Sequence, residues 1–95
     1  MKKVIGHLVV LDPRSLTGLL FAGDNNDGTV TCGDLICPTL RCESVSMTEP
    51  HGISVVRVGT EENPKRTSLF LPLGTVALIV DFFDKHQLPV GFHLR

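Results

Sequence analysis

Ninety-five residues, 42% apolar and 20% charged, are the make-up of one globular domain over residues 1–95 and exclude a disordered chain. A net charge of −1 excludes a protein that coats nucleic acid through many phosphate contacts, and leaves a few local contacts open. Five Phe, no Tyr and no Trp leave Val, Leu and Ile to build the core and few rings for stacking on bases or sugars.

Residues 4–11 are dominated by β-branched and aliphatic side chains, which fit a partly buried strand. Asp12-Pro13-Arg14-Ser15 ends it, because Pro lacks an N–H and restricts the residue before it. Residues 16–22 read as a second strand. Gly23-Asp24-Asn25-Asn26-Asp27-Gly28 is a turn, since these residues tolerate left-handed angles and bond to their own backbone. Residues 29–32 start a third strand, which Gly33-Asp34 bends before Leu35-Ile36 and Pro38 interrupts.

Residues 40–47 alternate loosely, with Leu40, Cys42, Val45 and Met47 as the apolar members. A loop follows over residues 48–52, then a strand over 53–58. Glu61-Glu62-Asn63-Pro64-Lys65-Arg66 is a charged hairpin tip that serves solubility and edge protection, or contacts phosphate. The strand over 68–73 puts Leu69, Leu71 and Leu73 on one side, and the two strands flanking the tip should pair antiparallel.

The apolar run over residues 76–83 has two readings. As a helix from about Thr75 to His86, it has Thr75 as N-cap and Pro89 beyond its end, and Val76, Ile79, Val80 and Phe83 share one face. As a strand, it has three β-branched residues among its first five. The helix, or a strand passing into a short helix, is the preferred reading. Residues 90–94 make a last short strand. Strands and turns at roughly ten-residue spacing predict a mainly β domain: a small, strongly bent antiparallel β-barrel with a short C-terminal helix.

Cys32, Cys37 and Cys42 are spaced C-x4-C-x4-C. That spacing places alternate cysteines on opposite faces of a strand, and zinc sites pair ligands two to four residues apart, so no metal site is expected. Asp24 to Gly28 is similar to a calcium loop, but Gly28 is fifth and Leu35 twelfth where such a loop needs Gly at six and Glu at twelve. His7, His51, His86 and His93 are far apart, no Ser lies in a nucleophile elbow, and no phosphate-cradling Gly loop occurs. No enzyme, catalytic residue or cofactor is expected. No window approaches the ~20 apolar residues of a membrane span. The N-terminal apolar run, broken by His7, is too short for a signal peptide. A cytoplasmic protein with reduced thiols is expected.

Gly18-x-Leu20-x-x-Gly23-Asp24, a polar turn and Val30-x-Cys32 resemble the first motif of Sm and Lsm-like proteins. Leu69-Phe70-Leu71-Pro72-Leu73-Gly74-Thr75-Val76-Ala77-Leu78-Ile79 looks like their second motif, two short strands joined by a tight Gly turn. The resemblance implies an Sm-like, SH3-like barrel that forms a homo-oligomeric ring through its strand edges, with RNA at the pore. It implies candidate RNA contacts at Asp24, Asn25, Asn26, Gly74 and Thr75. Where the family has its stacking residue this chain has Asn26, where it has Asn this chain has Gly28, and Leu73 replaces its Arg. RNA reading needs rings or guanidiniums to stack on bases. The alternative is a small β-barrel interaction or scaffold module that binds protein or a small ligand, without nucleic acid.

Overall fold

The computed structural model describes residues 4–47, 50–59, 64–82 and 91–94, with Phe82 as backbone only. Thr48, Glu49, the tip residues Glu61 to Asn63 and any helix beyond Phe82 lie outside that set.

The chain is mainly antiparallel β, as expected. Strand β1 (Gly6–Leu11) is central. Its run of aliphatic residues is explained by cover on both faces: Val9 and Leu11 enter the main core, while Val10 joins Val30 and Cys37 in a second cluster.

Residues 16–22 are not a strand. Leu16–Leu20 is a short helix, α1. The side chain of Ser15 caps it, its Oγ accepting from the Gly18 N–H at 2.9 Å while donating to the Asp12 carbonyl at 2.7 Å. The Leu19 N–H then donates to the Ser15 carbonyl and that of Phe21 to the Thr17 carbonyl. Leu is a strong helix former, so a good cap outweighs bare apolarity here.

Strands β2 (Gly28–Cys32) and β3 (Leu35–Ser46) form a hairpin. Gly33-Asp34 does not bend one strand but reverses the chain, with Cys32 opposite Leu35 and Gly33 at φ +60°. Pro38 does not interrupt β3 either. The β1 ladder stops at Val10↔Thr39, so on that side Pro38 lies beyond the paired residues.

The twelve residues of β3 serve three neighbours. One edge carries β1 along residues 39–42. The other carries β2 along residues 35–39 and β4 (Gly52–Arg57) along residues 42–46. Strand β5 (Thr67–Pro72) pairs antiparallel with β4 from Gly52↔Pro72 to Arg57↔Thr67, the expected pairing. Leu69 and Leu71 turn to the core, whereas Leu73 lies in a 3₁₀ turn (Leu73–Thr75) and is exposed.

Val76–Phe82 is strand β6, not a helix; a strand passing into a short helix concerns residues after Phe82, outside the described set. Strand β6 pairs along β1 from Gly6↔Phe82 to Leu11↔Val76. The open edge of β1 gives β-branched Val76, Ile79 and Val80 a ladder, and tertiary pairing overrides the helical period. Strand β7 (Phe92–Leu94) pairs with β2. The hydrogen-bonded path is thus β5-β4-β3-β1-β6, with β2 paired to β3 and β7 paired to β2. Its end strands share one core, in which Leu71 of β5 and Val76 and Ile79 of β6 pack against Val9, Leu11, Leu40 and Ile53.

Candidate functional site

The polar turn after α1 is built mostly from its own side chains. Asn26 is 6% exposed. Its Nδ2 donates to the Phe21 and Gly23 carbonyls, and its Oδ1 accepts from the Gly28 N–H. Asn25 Nδ2 donates to the Leu20 carbonyl at 3.1 Å. Both amides therefore hold the turn to α1, and Asn26 has no face to offer a ligand. Asp24 is exposed at the turn's tip.

Asp27 is the residue that sequence reasoning missed. It occupies the gap on the edge of β3 where β2 ends and β4 has not yet begun. Its N–H donates to the Thr39 carbonyl, and its Oδ2 accepts the Arg41 N–H at 2.9 Å. Arg57, the last residue of β4, donates from Nε and Nη2 to the two Asp27 oxygens, each at 2.9 Å. Nη2 also donates to the Asn25 carbonyl, and the guanidinium lies 5.5 Å from the centre of the Phe21 ring. Arg57 is thus committed to Asp27, the Asn25 carbonyl and the Phe21 ring. A contact 30 residues apart leaves no local signature in sequence.

Gly74 and Thr75 lie in the 3₁₀ turn between β5 and β6. Thr75 Oγ1 donates to the Pro72 carbonyl, and the Thr75 carbonyl accepts from Asp12 N–H at 2.8 Å. This turn touches α1, whereas the polar turn is tied to Arg57, at the other end of the β4–β5 ladder from the Gly52↔Pro72 pair that leads into Leu73–Thr75. What α1 and this 3₁₀ turn show to solvent is largely apolar. Leu16, Leu19 and Leu20 of α1 are 79%, 62% and 65% exposed, and Leu73 is half exposed beside them. The block that resembles the first Sm motif is helix, turn and strand where two strands are expected, while the Leu69-to-Ile79 block is strand, turn and strand.

Asp12, at the foot of α1, has its carboxyl held below the usual range by the Arg14 backbone N–H and then by the Arg14 side chain. It serves as a turn anchor, being paired within its own loop.

The outer face of β3, β4 and β5 carries two cross-strand rows, Ser44–Val56–Ser68 and Ser46–Ser54–Phe70. They line a shallow, open depression of about 430 Å³. Its lining among the described residues is hydroxyl and apolar, with no base. Among the described residues, no group of three or more His, Cys, Asp or Glu could hold a metal ion. No helix among them is long and apolar enough to cross a membrane.

Strands β5 and β6 each have one partner among the described residues, and each shows a large apolar side chain outward: Phe70, 53% exposed, and Leu78, 51%. Neither strand contains Lys or Arg. Comparison of the chain with known protein families, with curated proteins and with solved structures finds no match.

Proposed function

We propose that this chain is a non-enzymatic interaction module that works as a homo-oligomer, joined through strands β5 and β6. The carrying observation is the pair of unblunted edges. A sheet edge offers unpaired N–H and C=O groups, and proteins that must stay apart protect such edges with Lys, Pro or bulges. Here Pro72 caps only the end of β5; β6 has a bulge opposite it only between Val10 and Leu11, at its start, and its one charge, Asp81, is paired with His7 of β1 near its other end. Every copy carries both edges, so β5 of one can pair with β6 of the next. A head-to-tail contact of this kind closes into a ring when its rotation permits.

An Sm-like ring that binds RNA is the second reading. It is supported by the strand-turn-strand form of residues 69–79. The protein-binding reading is better supported. Asn26 is spent on the turn, Arg57 is spent on Asp27, and α1 and the Leu73–Thr75 turn show leucines. RNA sites need stacking platforms and cations.

Light scattering on the wild-type chain and on Phe70→Lys and Leu78→Lys tests the proposal. The wild type should exceed its 10.3 kDa monomer mass, and either charge should drive it toward monomer. A wild-type monomer removes the proposal. Titration with short U-rich and A-rich RNA separates the two readings: affinity that falls with added salt favours the second.

A further inference from the structure

The β2–β3 hairpin brings two of the three cysteines together. Val30 stands opposite Cys37 and Cys32 opposite Leu35. Cys32, two residues after Val30, is therefore the diagonal neighbour of Cys37 on the same face of the sheet. Burial pushes the Cys37 thiol up, and the Cys32 side chain adds to it. Their settings differ. Cys32 ends β2 and is exposed, whereas Cys37 is 4% exposed and packs with Val10, Val30 and Phe92. Cys42 lies in the other core cluster, fully buried.

We propose that Cys32 and Cys37 form a reversible dithiol–disulfide site oxidised by hydroperoxides. Exposure makes Cys32 the residue that meets the oxidant. Its thiolate attacks the peroxide, the O–O bond breaks, and sulfenic acid forms as the other oxygen leaves and takes a proton, giving an alcohol or water. The Cys37 sulfur then attacks the Cys32 sulfur. The S–O bond breaks, the hydroxide takes the Cys37 proton, and water leaves. Two thiols and one hydroperoxide become one disulfide, one alcohol or water, and one water.

Diagonal partners have Cα atoms roughly 7–8 Å apart. A relaxed disulfide wants about 4.4–6.8 Å. Closure therefore draws the hairpin tip inward. The tip can move, because residues 33–36 are exposed and nothing lies within 4 Å of where a Gly33 Cβ would be. A bond formed under strain at an exposed tip is easily reduced, which makes the site a switch and not a fixed staple.

The full chain, reduced and then treated with hydrogen peroxide, should lose the mass of two hydrogens. Cleavage before Asp34 should leave the flanking peptides joined through Cys32 and Cys37, and dithiothreitol should separate them. Cys42 should remain a thiol throughout. Cys37→Ser should accumulate Cys32 sulfenic acid, captured by dimedone. Cys32→Ser, a change at an exposed position that leaves the core intact, should abolish the mass loss. Wild-type protein that gains oxygen at Cys32 while Cys37 stays a free thiol overturns the proposal. So does a disulfide that forms only between chains.

Discussion

Arg57 grips both carboxylate oxygens of Asp27, across 30 residues of sequence, at 2.9 Å each. The pair closes the gap on one edge of β3, where neither β2 nor β4 supplies a ladder, and it joins the polar turn to the sheet. Asp27 is 10% exposed and Arg57 25%, so the pair is partly shielded from solvent screening.

Breaking this pair should destabilise the fold. Asp27→Asn removes the charge, and Arg57→Lys keeps the charge but loses the two-pronged geometry. Each should lower stability by about 1–3 kcal/mol, below the cost of breaking a fully buried pair. The check is a lower urea midpoint at unchanged slope. An unmoved midpoint in both variants contradicts the role given to the pair.

Two glycines should respond oppositely to Ala. At Gly18 an added Cβ would lie 2.0 Å from the Asp12 carbonyl oxygen, while at Gly74 it would meet nothing within 4 Å. Gly18→Ala should cost about 1–3 kcal/mol, as overpacking does. Gly74→Ala should be neutral or gain a few tenths of a kcal/mol, roughly, by restricting the unfolded chain. Thermal melts of the two variants side by side give the contrast.

Much of the sheet is legible in the sequence because its strands are rich in β-branched residues and separated by Gly, Pro and Asp. The pairing of β4 with β5 follows from the apolar runs on either side of the charged tip. Three features are not legible. The apolar α1 segment looks like a strand until Ser15 is seen to cap it. Val76–Phe82 has both periods, and only the free edge of β1 decides between them. Asp27 looks like one more turn residue until Arg57 arrives from a distant strand. The candidate site is legible only as loops: sequence shows which turns are polar, but not that their amides are spent within them.

Thr39 offers a gain. Its Oγ1 is buried without a hydrogen-bond partner, while its backbone pairs with both Val10 and Gly28. Thr39→Val keeps the shape and removes the stranded hydroxyl. It should raise stability by about 1 kcal/mol. A higher melting temperature confirms it, and a lower one means that the hydroxyl has a partner in solution.

Alkaline pH should weaken the fold through Cys42. Burial, and then the nearby Asp27 carboxylate, push its thiol up to about 12 from an ordinary 9.0. The folded state therefore holds the proton more tightly than the unfolded state. That contribution is complete below pH 9.0 and is lost as pH rises through about 12. Cys42→Ala should flatten this part of the stability–pH curve, measured by urea midpoints across the range.

Amide hydrogen exchange over β5 (Thr67–Pro72) and β6 (Val76–Phe82) reads edge pairing directly. In the assembled protein the outward N–H groups of both strands should be protected at high concentration and become exposed on dilution, while β1 and β3 stay protected throughout. Fast exchange of those outward groups at every concentration would contradict assembly through the edges.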